Sequence, residues 1–150
     1  MSFDSEALSE LGAAMTRTTP QTIALGVEFV SVAPGVGVLK VPYRADLVGD
    51  PRTGVLAGGV ITTLLDHACG LAIKAASNDL GAMATLDLRI DYMRSAEPGL
   101  AVFARAECYK LTRSIAFVRA IAYDAAPEDP VATAQGAFVL NGATRLTANP

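Results

Sequence analysis

The chain has 150 residues, of which 51 % are apolar and 18 % charged, and a net charge of −3. That length suffices for one domain burying roughly two thirds of its unfolded surface without a metal or a disulfide. A negative balance without a basic run excludes a nucleic-acid footprint, and so small a polar share predicts that part of the surface is covered by further copies of the chain.

The first fifteen residues carry Asp4, Glu6 and Glu10 where a secretory leader would have a basic start and an apolar run, so the cytoplasm is the expected compartment. Residues 4–16 place Ala7, Leu8, Leu11, Ala14 and Met15 on one helical stripe that stops before Pro20, the pattern of a short lid or docking helix. Residues 23–33 and 36–43, parted by Pro34-Gly35, read as two strands joined by a tight turn. Residues 57–76 are too long for a strand and apolar on every side apart from Asp66, His67 and Lys74, which predicts a helix buried in the centre. Those polar residues, and the glycines around them, exclude a membrane span.

Alternation follows, with Leu86, Leu88, Ile90 and Tyr92 on one parity and Asp87, Arg89 and Asp91 on the other, the signature of a half-buried strand. Residues 100–109, 114–123 and 131–140 are three further strands of an antiparallel meander. Strands gathered around one apolar helix imply an α+β domain whose sheet curls round that helix, and residues 1–150 form one unit because no repeat or linker divides them. Cys69 and Cys108 have neither CxxC nor Cys/His spacing and read as buried reduced thiols.

Two features carry chemistry. The run Gly54-Val55-Leu56-Ala57-Gly58-Gly59-Val60 opens the central helix without a Ser, Thr, Asp or Asn cap, leaving N-H donors that a carbonyl or oxyanion can approach; close packing of helix on sheet is the other explanation for the glycines. Asp66 sets a carboxylate in an apolar helix, where it must be hydrogen-bonded or functional to offset its desolvation. His67 points about 100° away around the helix, so it cannot form a triad with Asp66 and reads as a packed or interface residue.

Together, GVLAGGVITTLLDHACG over residues 54–70 and LDLRIDYMRSAEPG over residues 86–99 resemble the PaaI-like (phenylacetate-type) branch of hotdog thioesterases through most of the chain. The resemblance implies a hotdog fold, a curved antiparallel sheet around one long helix. It also implies a homodimer or dimer of dimers with continuous sheets, acyl-CoA substrates, and no cofactor or metal. By position, Asp66 matches the general base or nucleophile, Gly58 the oxyanion donor, and Thr85 the hydroxyl that orients the attacking water. Ala57 and Gly59 fall in the substrate-binding entrance, and Arg94 and Arg113 in turns that contact the coenzyme A phosphates or pantetheine arm. Two departures stand out: Ala57 replaces the family histidine before Gly-Gly, and Asp50-Pro51 stands near a usual asparagine. A comparable lost oxyanion donor costs roughly 3 to 4 kcal/mol of transition-state stabilisation. The implied activity is therefore a weakened thioesterase. The alternatives are an acyl-CoA-binding protein without turnover, or a structural partner of a related chain that keeps the histidine.

Overall fold

Residues 5–77 and 81–140 are described by a computed structural model, in which the N-terminal stripe forms α1 (Ser5–Thr18). Gly12 lets α1 close on the strand that follows, since a Cβ there would lie 2.4 Å or less from two ring atoms of Phe29. The expected strand over 23–33 is shorter than its β-branched residues suggest. Its first part belongs to α2 (Pro20–Leu25), and only β1 (Glu28–Ala33) is extended. Pro20 at the first helical turn presets its own φ without losing a ladder bond, and Gly26 at φ +70° closes the helix before β1 begins. Gly35 at φ +71° makes the turn into β2 (Val36–Val41).

Between β2 and the central helix, a 3-10 turn (Ala45–Leu47) and the two-stranded pair β3 (Val48–Asp50) and β4 (Val55–Leu56) hold the loop that enters the helix. None of these was expected from the sequence. The helix α3 (Gly58–Ala76) buries Leu64, Leu65, Ala68, Leu71, Ala72 and Ile73 completely. Burying one leucine contributes about 1.5–3 kcal/mol.

The remaining strands are β5 (Met83–Tyr92), β6 (Val102–Leu111), β7 (Ile115–Tyr123) and β8 (Ala132–Leu140), each within a few residues of expectation. They complete an antiparallel sheet in the order β1-β2-β6-β7-β8-β5. Its inner face is lined by small residues, among them Ala104, Ala106, Ala116, Ala122 and Ala132, so the large side chains of α3 can sit close against it. The sheet wraps the helix as the hotdog expectation requires. Among the described residues β5 is an edge strand of the sheet, and no helix is long and apolar enough to cross a membrane.

One irregularity positions the site. The strict alternation expected of β5 fails at Leu86, which has no partner because the register jumps between Thr85 and Asp87. Leu86 is turned outward, 58 % exposed, and the parity of the inner face changes from Met83 and Thr85 to Leu88 and Ile90. Asp87 Oδ1 accepts the Ala137 N-H at 3.1 Å beside the bulge. Gly136 makes room for it: a Cβ there would lie 2.4 Å from the Asp87 carbonyl oxygen, a backbone atom that cannot swing aside. Gly136→Ala is expected to cost about 3 kcal/mol, as overpacking against backbone does, and to lower Tm by roughly 6–12 °C in a thermal melt. An unchanged melt would mean that the bulge does not depend on this glycine.

Candidate active site

The central helix is not buried all round, as its composition suggests. Gly58, Gly59 and Thr62 are exposed, and Thr63, Asp66 and His67 are half-buried. The spacing of 58, 62 and 66 puts these residues on one slowly turning stripe, facing out of the chain beside β5. Asp66 therefore lies at an open seam, and its desolvation is less severe than a central position would impose.

At the head of the stripe, Ala57 caps α3 with backbone only. Its N-H donates to Leu47 O at 2.9 Å, and no side chain caps the helix. The Gly58 and Gly59 amides have no acceptor among the described residues and stand at the positive end of the helix dipole. Neither glycine is demanded by packing within the chain. A Cβ on Gly58 would meet Tyr92 at an ordinary 3.6 Å, and one on Gly59 would meet nothing within 4 Å. The space over them is open to whatever approaches from outside.

Tyr92, at the end of β5, secures this helix start. Its hydroxyl donates to Gly58 O at 2.8 Å and lies 2.6 Å from Thr62 Oγ1, which also reaches Gly58 O at 3.2 Å. In the sequence Tyr92 stands on the strand's apolar parity and within the segment that resembles the hotdog family, with no role of its own. Its detectable signal was a phenol hydroxyl on a helix-facing strand position, which needs a polar partner.

Two turns down the stripe, Thr85 Oγ1 donates to Asp66 Oδ1 at 2.8 Å. The bulge at Leu86 makes this contact possible by turning Thr85 inward, and Thr85 lies within β5 where the sequence placed it just ahead of the strand. This is a carboxylate held by one hydroxyl, with its other oxygen available to a water or a carbonyl carbon. His67 faces elsewhere on the stripe. Burial lowers its pKa below the ordinary histidine value, the neighbouring Asp66 charge offsetting this only in part. Cys69, buried in the core, has its thiol pushed up to about 12 by burial, which leaves it unreactive. Cys108 is half-buried and also raised by burial.

Gly58 and Asp66 do not converge within one chain, because eight residues of helix separate them by about 12 Å along the axis. Among the described residues neither of the two expected arginines makes a hydrogen bond or ion pair to this stripe. Arg94 is committed to holding loops together: it donates to both Asp124 oxygens, at 2.9 and 2.6 Å, and to Asp129 O at 2.7 Å. Arg113 is exposed in the β6–β7 turn with no partner among the described residues.

The Asp124 side chain is 1 % exposed and also accepts the Glu97 and Ala125 amides, so its carboxyl is held well below the usual range, first by the Arg94 hydrogen bonds. A depressed folded-state pKa contributes stability that is present above the unfolded value of about 4 and is lost as pH falls below it. Asp124→Asn is expected to cost about 2–3 kcal/mol at pH 7, since breaking one partner of such a pair strands the other. Denaturant titrations should show this gap to be constant from pH 8 to 5 and narrowing below about pH 4. A gap independent of pH down to 2 would remove the carboxylate charge from the explanation.

Comparison with known proteins places the chain in a family. The sequence model of the Thioesterase superfamily matches residues 53–131, which include the helix entrance, Asp66 and Thr85. A protein of Halobacterium salinarum named as a candidate esterase is 32 % identical over 120 residues, covering 76 % of this chain and 80 % of its own length. Among solved structures, a Pseudomonas aeruginosa protein superposes with a TM-score of 0.81 at 37 % identity, over 88 % of this chain and 98 % of that one. A Thermus thermophilus phenylacetic acid degradation protein, PaaI, superposes at 0.70 with 31 % identity, over 81 % and 99 %. The Escherichia coli PaaI protein reaches 0.79 at 19 % identity, over 93 % and 97 %, a likeness of fold.

Proposed function

Since the chain belongs to the thioesterase superfamily, we propose that it hydrolyses an acyl-CoA thioester to the free acid and coenzyme A, in a site built from two copies of the chain. The observation that carries this reading is the Thr85–Asp66 hydrogen bond on an open helix stripe headed by two unencumbered glycine amides. In the proposed reaction the thioester carbonyl rests on the Gly58 amide of one protomer, with Ala57 and Gly59 as the floor of the entrance. Asp66 of the other protomer removes a proton from a water that Thr85 helps to place. The water oxygen bonds to the carbonyl carbon, the C–S bond breaks, and the proton passes from Asp66 to the leaving thiolate. Direct attack by the Asp66 carboxylate, giving an anhydride that water then opens, uses the same geometry. Arg113, exposed and without a partner among the described residues, is the better candidate for the coenzyme A phosphates. Arg94 serves the site by bracing the loop after β5.

The unit of function on this reading is a homodimer, or a dimer of dimers, working in the cytoplasm without a cofactor. A second reading, in which the chain binds acyl-CoA without turnover or supports a related chain, is favoured by one observation. Ala57 brings no side-chain donor to the carbonyl.

A thiol-release assay over a panel of aromatic, short, branched and long acyl-CoAs tests the two against each other. Release above background on at least one ester is expected. Saturable binding of the esters with no release would favour the second reading. Ala57→His is expected to raise turnover on the best ester by about tenfold or more, as restoring one donor to a carbonyl should. A folded variant with no gain on any ester would mean that this chain does not use the family's carbonyl geometry.

A further inference from the structure

The hydroxyls of Tyr92 and Thr62 converge on the carbonyl of Gly58, at 2.8 and 3.2 Å, and lie 2.6 Å from each other. At the start of a helix the groups left without partners are N-H donors, whereas the carbonyls of the first turn accept from residues four places on. A cap at this point would be an acceptor, and two donors do not serve as one. Back-bonding by a helical threonine is common in itself, but the phenol reaches over from the end of β5. Two hydroxyl protons are shared among three contacts, so they form a chain. Either Thr62 donates to Tyr92 and Tyr92 to Gly58 O, or Tyr92 donates to Thr62 and Thr62 to Gly58 O. In both states one hydroxyl, polarised by the other, holds the carbonyl.

That carbonyl is one end of the peptide unit joining Gly58 to Gly59, and the other end is the Gly59 N-H. Because the unit is planar, fixing the carbonyl fixes the direction of the N-H, and drawing electron density to the oxygen makes the N-H a stronger donor. The restraint matters here, since two successive glycines give the backbone its widest freedom. Val60, next in line, donates to Ala57 O at 3.1 Å, which leaves the Gly58 and Gly59 amides as the pair without an acceptor at this helix start among the described residues. A Cβ on Gly59 would meet nothing within 4 Å, so the space beside it is open.

We infer that the Gly59 amide is a second donor to the thioester carbonyl, beside that of Gly58, and that Tyr92, relayed by Thr62, is the positioning residue that holds it there. The inference rests on the hydrolase reading for its chemistry, and it draws from the backbone a donor that the Ala57 side chain does not bring.

Tyr92→Phe is the decisive variant, because it keeps the ring beside Gly58 and removes only the hydroxyl. Steady-state thiol release from the best ester should show kcat lowered about tenfold with KM within about twofold, since a donor is weakened and not lost. Thr62→Val should lose less, about threefold, and Thr62→Ser should rescue what Thr62→Val loses. A merely structural tie would lower the melt and leave kcat per folded dimer unchanged, which overturns the proposal, as does a loss confined to KM. The amides are read directly by two-dimensional NMR while a ketone analogue of the panel esters, with a methylene between sulfur and carbonyl, is titrated in. The Gly58 and Gly59 resonances should both move, and Tyr92→Phe should reduce the Gly59 change while sparing that of Gly58. A Gly59 resonance that stays still in the wild type, or moves equally in both chains, overturns the proposal whatever the turnover. A wild type that releases no thiol while its Gly59 amide responds as expected would end the hydrolase reading and leave the donor assignment standing.

Discussion

Asp66→Asn is expected to lower turnover at least about a hundredfold while leaving acyl-CoA affinity within several-fold, as removal of a positioned general base or nucleophile does. The substitution is nearly isosteric, and the amide oxygen can still accept the Thr85 hydroxyl that now lies 2.8 Å from Asp66 Oδ1. Packing around the half-buried side chain is thus preserved, and what is lost is the acceptor for the water's proton. Thr85→Val separates holding from chemistry: it leaves the carboxylate and removes the hydroxyl, so its loss should be smaller, about tenfold. Single-turnover thiol release measures both. Equal rates for wild type and Asp66→Asn would take Asp66 out of the mechanism.

Gly58→Val carries the second large effect. The three nearest atoms to a first carbon at this position all belong to Tyr92, at an ordinary 3.6–3.7 Å, so the position admits a side chain, and a thermal melt serves as the fold control. The branches beyond that carbon occupy the space in which a thioester carbonyl would approach the amide. Loss of an oxyanion donor lowers turnover by about 10²–10³, and that is the expected result, read again as thiol release. A Gly58→Val chain that folds and retains full activity would leave the glycine amide without a role.

Residue patterns reveal the large elements of this protein because their causes are local. Residues 57–76 announce α3 through length and continuous apolarity, and the missing cap residue at Ala57 is visible in the sequence itself. What fails depends on neighbours distant in sequence. Leu86 shares parity with Leu88 and Ile90, yet it points outward because β8 offers a glycine at 136, which admits a bulge that Asp87 then satisfies. A glycine inside an alternating strand was the available signal. The same displacement delivers Thr85 to Asp66, so its assignment came from resemblance while its physical cause lay fifty residues away. Arg94 illustrates a different limit: a turn arginine reads as solvated until Asp124, on another turn, is placed beneath it. Ile23 has the β-branched character of a strand residue, yet Pro20 three positions before it starts a helix that takes it in.

The central claim is that each site is composite, because about 12 Å of helix keeps Gly58 and Asp66 of one chain from serving one carbonyl. Two α3 helices running antiparallel across a two-fold axis would bring Gly58 of one protomer to Asp66 of the other, giving two equivalent sites. The direct measurement is complementation between inactive chains. Asp66→Asn and Gly58→Val chains are mixed in equal amounts, unfolded and refolded together, and heterodimer content is checked by native mass spectrometry. A heterodimer contains one intact site and one doubly damaged site. Activity should therefore recover to about half the wild-type value per heterodimer, and to about a quarter for a random mixture of dimers. A mixture that contains heterodimers yet stays as inactive as its parents would place the whole site within one chain and contradict the account.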